Sequence, residues 1–266
     1  MRSFPFKITN SQYPVFNSPI DASVSAKAVV IMDKDSKVVL LAENPNLVFS
    51  LASTTKIMTA LVSLDYFKLN DIITVQTENV EGVNVGFKVG EKLSFENVLY
   101  AMLLPSGNDA ALAIAQNYPG GKDPFIAKMN EKAKLFHLIN TNFADSIGLE
   151  DSRDYTTPLD LARLAGIAME NQEFAKIVGT KTWGITDVTG VNKYSLTNLN
   201  QLLGTQGVNG VKTGYTTEAG QVLVTSKKEG EHTLIIVVMD SQDRFADTAK
   251  LLDQISGNIS YLSIHP

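Results

Sequence analysis

Leu51-Ala52-Ser53-Thr54-Thr55-Lys56-Ile57-Met58 carries a small polar cluster straight into Ile57, Met58, Ala60, Leu61, Val62, Leu64 and Phe67. That pattern predicts a helix starting at or near Ser53, running to about Leu69 and buried on most of its sides. Lys56 follows Ser53 by three residues, so both side chains share one helical face within a turn. A serine hydroxyl is a poor nucleophile until a base takes its proton. A lysine supplies that base once burial or nearby positive charge lowers its pKa. Alone the pattern is weak, because a chain of this size holds roughly one Ser-x-x-Lys by chance. An N-cap serine followed by a solvated lysine would read the same way.

On the N-terminal side, residues 26–32 and 38–42 predict two strands joined by the turn Asp33-Lys34-Asp35-Ser36. On the C-terminal side, residues 70–93 hold a short strand candidate at 71–75, then pieces punctuated by Gly82, Gly86 and Gly90. Helices are predicted at 94–104 with Ser94 as N-cap, and from 110 after the break Pro105-Ser106-Gly107-Asn108. Two more follow: an amphipathic one at 123–138, and one capped by Thr157 with Pro158 at its first position. The span 178–203 is mixed. Residues 208–216, 221–226 and 234–239 predict three strands, and 242–255 a closing helix. Strands, a helical middle, then strands again give an α+β fold. Its antiparallel sheet is built from both chain ends, with helices on its faces and a helical lobe inserted.

The 266 residues carry a net charge of −5 and no long basic run, which argues against nucleic acid as a partner. With no cysteine there is no disulfide, thiolate metal site or cysteine nucleophile. The three histidines, His137, His232 and His265, are scattered and form no ligand-like cluster. His137 reads as part of a helix face and His232 as the start of an apolar strand, so a serine–histidine triad is disfavoured. Nothing implies a metal or cofactor. The N-terminus lacks an apolar export-signal core, and no run reaches about 18 apolar residues.

Two further clusters bear chemistry. Ser106-Gly107-Asn108 is either a plain helix break or a hydroxyl and an amide presented on a tight loop that glycine permits. Lys212-Thr213-Gly214 lies in a strand. It is either ordinary edge alternation or an edge where a peptide adds as an extra strand, with Gly214 letting its backbone approach. Ser-x-x-Lys, Ser-x-Asn and Lys-Thr-Gly in this order form the signature of penicillin-recognising serine enzymes. The spacings are 53 residues from Ser53 to Ser106 and 106 from Ser106 to Lys212. With Leu104-Pro105-Ser106-Gly107-Asn108-Asp109-Ala110, Asn140-Thr141-Asn142-Phe143 and Gly210-Val211-Lys212-Thr213-Gly214-Tyr215-Thr216, the chain resembles the D-alanyl-D-alanine carboxypeptidases, the low-molecular-mass penicillin-binding proteins, over about residues 25–257.

The resemblance implies a β-lactamase/transpeptidase-like fold and removal of the terminal D-alanine of peptidoglycan stem peptides, with β-lactams as covalent inhibitors. It implies Ser53 as the acylated nucleophile, Lys56 as its base, Ser106 as proton relay, and Asn108 as the residue holding substrate and Lys56. Substrate contacts are implied at Lys212, Thr213, Gly214, Tyr215 and Thr216, with the backbone N–H groups of Ser53 and Tyr215 as oxyanion hole. Arg244 matches a family arginine for the substrate carboxylate; a surface arginine paired with Asp247 or Asp240 is the other reading. Residues 1–23 are expected to be an irregular lead-in, 24–258 the catalytic domain and 259–266 a tail. The family works outside the cytoplasm. This chain carries neither the C-terminal β-rich domain nor the amphipathic anchor of many relatives, which suggests a trimmed or minimal member. Alternatives are a DD-endopeptidase, a class A-like β-lactamase and a catalytically silent binding module. Glu150-Asp151-Ser152-Arg153-Asp154 resembles the end of a lactamase omega loop. The acid such enzymes carry about a dozen residues before the arginine is missing from Asn140-Thr141-Asn142-Phe143.

Overall fold

Residues 28–32 and 234–239 are apolar at successive positions, not at alternate ones, so a sheet that contains them needs cover on both faces. The structure, a computed structural model, describes residues 11–149 and 152–264. The chain opens with strands β1 (Ser11–Phe16), β2 (Ala28–Asp33), β3 (Val39–Glu43) and β4 (Phe49–Ser50). A single 3₁₀ turn, Ala52–Thr54, leads into helix α1 (Thr55–Tyr66). Strands β5 (Ile72–Thr74) and β6 (Lys92–Ser94) precede helices α2 (Phe95–Leu103), α3 (Asn108–Asn117) and α4 (Lys122–Leu135). Then come β7 (Tyr155–Thr156), α5 (Pro158–Ala168), α6 (Gln172–Val178), β8 (Thr182–Thr186) and β9 (Lys193–Thr197). The chain closes with β10 (Val208–Thr216), β11 (Gly220–Glu229), β12 (His232–Ser241), α7 (Arg244–Ile255) and β13 (Ile259–Ile264).

The central sheet runs β10-β11-β12-β2-β3, every pair antiparallel, with Val30 opposite Val237. Its strands alternate between two buried cores. Ala28, Val30, Met32, Val222, Val224, Ile235 and Val237 join the helical lobe, including α1, α2, α3 and α5. Val29, Ile31, Leu223, Leu234, Ile236 and Val238 meet Leu251, Leu252 and Ile255 of α7. The predicted class is therefore the observed one, with helices on both faces and a lobe between the two sheet segments.

Helix α1 is buried at every residue from Thr55 to Ser63, as an apolar run without a polar face requires. It ends at Tyr66, short of Leu69, because Phe67 turns extended. Ser94 and Thr157 cap α2 and α5 as expected, accepting from the N–H groups of Asn97 and Asp160. Two expectations differ. Residues 11–16 of the supposed irregular lead-in form β1, and it pairs with β13 in the supposed tail. Pro14 hid this strand, yet it is tolerated because, among the described residues, β1 has a ladder partner on one side only. The mixed span 178–203 begins at the last residue of α6 and contains the β8–β9 hairpin.

Candidate active site

The site forms where the edge strand β10 passes the turn before α1. Ser53 is half-buried in that turn, and Ala52 before it is held at φ 47°, a left-handed conformation costly for alanine. Ser53 is not a helix cap: its Oγ lies 3.0 Å from Lys56 Nζ, within hydrogen-bond reach. Gly214 brings β10 against this turn, since a Cβ there would lie 3.2 Å from the Ala52 Cβ and 3.5 Å from the Ser53 nitrogen. Among the described residues β10 has a sheet partner on one side only, so it is an open edge as expected.

Lys56 is fully buried, and its Nζ also donates to Asn108 Oδ1 at 2.7 Å and to the Ile147 carbonyl at 2.9 Å. Asn108 is oriented by its other end, because Nδ2 donates to the Glu81 carbonyl at 2.6 Å. Burial pulls the Lys56 pKa from 10.5 to about 7, against the charges of Asp145 and Asp109, which raise it. The hydrogen-bond count then has a chemical consequence. Charged Lys56 donates to all three oxygens. Neutral Lys56 has two N–H groups, both taken by the two carbonyl oxygens, and its lone pair is left facing the Ser53 hydroxyl.

Ser106 and Asn108 flank Gly107 at the start of α3. Ser106, not the glycine, takes the positive φ of 67°. Gly107 is needed for space, as a Cβ would lie 2.8 Å from the Ala101 carbonyl oxygen. The Ser106 hydroxyl is buried without a hydrogen-bond partner among the described residues. Lys212 is 2 % exposed and donates to the Thr213 carbonyl at 3.1 Å. Burial first, then the charges of Lys56 and Arg244, hold it well below an ordinary lysine pKa. Thr213 is buried, Tyr215 is exposed, and Thr216 Oγ1 accepts from the Ala219 N–H in the turn to β11. Arg244 does not pair with either acid. It donates to the Gly214 carbonyl at 2.7 Å, while Asp240 meets Lys27 and Asp247 accepts from Ser25 and Ser241. All ten predicted residues therefore lie on this turn, α1, the start of α3, β10 and the start of α7.

The sequence did not single out the segment from Ala144 to Leu149. It supplies the Ile147 carbonyl to Lys56, and Ser146 accepts from Thr59 Oγ1 at 2.8 Å through its carbonyl. Gly148 at φ 87° rests on the Ala52 carbonyl, where a Cβ would come within 1.9 Å of the oxygen. Asp109, quoted above without a role, accepts from the N–H groups of Val85, Gly86 and Phe87 and ties that loop to α3. Glu150 and Asp151 of the omega-loop resemblance lie outside the described residues.

The architecture is that of the β-lactamase/transpeptidase-like enzymes. The Streptomyces K15 DD-transpeptidase structure superposes with a TM-score of 0.82 at 30% identity, covering 89% of this chain and 98% of that one. A family model described as D-alanyl-D-alanine carboxypeptidase matches residues 15–243, and the chain belongs to that family of serine peptidases. D-alanyl-D-alanine carboxypeptidase DacF of Bacillus subtilis is 34% identical over 86% of this chain and 61% of its own length. A D-alanyl-D-alanine endopeptidase of Pseudomonas aeruginosa is 31% identical over 92% of this chain and 81% of its own. The chain thus spans about three-fifths of the first relative. Among the described residues, no helix is long and apolar enough to cross a membrane.

Proposed function

We propose that this chain is a serine-type D-Ala-D-Ala carboxypeptidase. It removes the terminal D-alanine of peptidoglycan stem peptides through an acyl-enzyme on Ser53, outside the cytoplasm, and β-lactams acylate the same oxygen. Residues 24–258 form the catalytic domain. The observation that carries this is the buried Lys56 amine, 3.0 Å from Ser53 Oγ, with two carbonyl acceptors that turn its lone pair to the hydroxyl.

The peptide lies along the open edge of β10. Ser53 Oγ attacks the penultimate D-alanine carbonyl as Lys56 takes its proton. The N–H groups of Ser53 and Tyr215 hold the oxyanion. The C–N bond breaks, and the leaving amine receives its proton by way of Ser106, whose unpartnered buried hydroxyl suits a relay. Water then attacks the ester, returning Ser53 and releasing the shortened peptide. Thr213, Lys212 and Arg244 bind the terminal carboxylate. Burial and the charges of Lys56 and Arg244 lower the Lys212 pKa, and an arriving carboxylate favours its charged form.

A second reading is favoured by one observation: the endopeptidase relative aligns over more of both chains than DacF does. A single experiment separates the two. Penicillin should give a one-to-one adduct by intact mass that Ser53→Ala abolishes. The free acid of a D-Ala-D-Ala peptide should be cleaved faster than its amide, with Arg244→Ala eroding that preference. Equal rates on acid and amide would point to endopeptidase action, and an adduct that survives Ser53→Ala would refute the nucleophile.

A further inference from the structure

The Ile147 carbonyl that Lys56 donates to belongs to a segment without helix or strand, and two carboxyl groups give that segment its shape. The Asp145 carboxylate accepts from the N–H groups of Ile147 at 2.6 Å, Gly148 at 2.5 Å and Leu149 at 3.0 Å. Asp154 is fully buried and accepts from the Ala144 N–H at 2.6 Å, at the segment's start. Its second carboxyl oxygen has no hydrogen-bond partner among the described residues, and its side chain hydrogen-bonds Asp145. Asp154 also precedes β7, whose ladder with β4 fixes the chain leading to Ser53.

We propose that Asp145 and Asp154 are a positioning pair for the base, Asp145 gathering three amides behind the Ile147 carbonyl and Asp154 pinning the segment's start. This takes Lys56 as the base, as proposed above. Two adjoining carboxyl groups, one of them fully buried, do not both ionise easily. Asp145 is held by three amide donors. Burial first, and the Asp145 charge second, lift Asp154 to about 8. The single charge matters because Asp145 and Asp109 already raise Lys56. A second charge at Asp154 would raise Lys56 further and repel the Asp145 carboxylate, loosening the segment that carries the Ile147 carbonyl. The charged groups around the pair are Lys56 on α1 and Asp109 on α3, with Glu81, Lys122 and Asp123 lining the cavity that Asp145 shares.

The test is the second-order rate constant for acylation by benzylpenicillin from pH 5 to 10, in wild type, Asp145→Asn and Asp154→Asn. The wild-type rate should rise with pH through about 7 as Lys56 loses its proton, then fall above about 8 as Asp154 ionises. Asp145→Asn should move the rise to lower pH and cut the plateau on the order of 10- to 100-fold, a combination that mere loss of packing does not produce. Asp154→Asn keeps the shape without the titration, so its plateau should match wild type and its fall above pH 8 should be reduced. If Asp145→Asn does not fold, the comparison of Asp154→Asn with wild type still decides. Variants with wild-type profiles on both limbs overturn the pair. A wild type that shows no rise near pH 7 overturns Lys56 as the base instead.

Discussion

A protonated Lys56 would sit fully buried against oxygens that also serve its neutral form, and this has a thermodynamic signature. Between about pH 7 and 10.5 the unfolded chain holds a proton on this lysine that the folded chain does not. Unfolding therefore takes up a proton, and stability rises with pH across that window by up to about 1.4 kcal/mol per pH unit. Below pH 7 both states are protonated, and the cost of burying the charge is fully present. Asp154 has the opposite sign: its folded pKa is raised from 3.8 to about 8, so its contribution is lost as pH rises between those values. The two oppose each other from 7 to 8, and Lys56 acts without Asp154 above 8. Urea unfolding at pH 8 to 10 should show a steeper rise for wild type than for Lys56→Met. Parallel slopes would mean that the folded protein keeps Lys56 charged.

At the scale of elements, two glycines govern how closely the pieces approach. Gly148→Ala would drive a Cβ into the Ala52 carbonyl at a φ that alanine rarely adopts, and should cost about 3 kcal/mol or more along with acylation. Gly214→Ala meets its neighbours at 3.2 Å or beyond. It should keep the urea midpoint within about 1 kcal/mol while slowing acylation, because β10 is pushed from Ser53. Wild-type acylation by Gly214→Ala would show that β10 does not bound the site. The same scale explains what could be read beforehand. Ser53, Lys56, Ser106, Asn108 and Lys212 were legible because each motif packs its side-chain chemistry into three or four residues. The Ile147 contact was not, because a main-chain carbonyl carries no residue signature. Asp145 and Asp154 carried no signal because their partners are main-chain N–H groups, which no residue pattern marks. The β8–β9 hairpin was missed because Thr182-Trp183-Gly184-Ile185-Thr186 shows no clean alternation of burial, with Ile185 alone buried.

For the whole molecule, the two cores separate stability from chemistry. Leu251, Leu252 and Ile255 cover the sheet face that lies away from α1. Leu251→Ala should lower unfolding free energy by about 2–5 kcal/mol in urea. Its penicillin acylation rate per folded molecule should stay within about twofold of wild type. A large loss of acylation at unchanged stability would show that the two faces are coupled. The class of fold was visible because uninterrupted apolar strands at both ends of the sequence have no other way to be covered. The β1–β13 pair was not, because a two-stranded ladder containing a proline has no such pattern.

Val30 bonds beside Val237, across more than two hundred residues of intervening chain. Closing a loop of that length costs about 5 kcal/mol of chain entropy before any contact repays it. A ribosome adding about 5–20 residues per second needs on the order of 10–40 s to make that span. Through that interval Ser53 has no β10 beside it, and Lys56 stays wet and protonated. The nascent chain is chemically silent through that interval: its latency is written into the order in which the strands are synthesised.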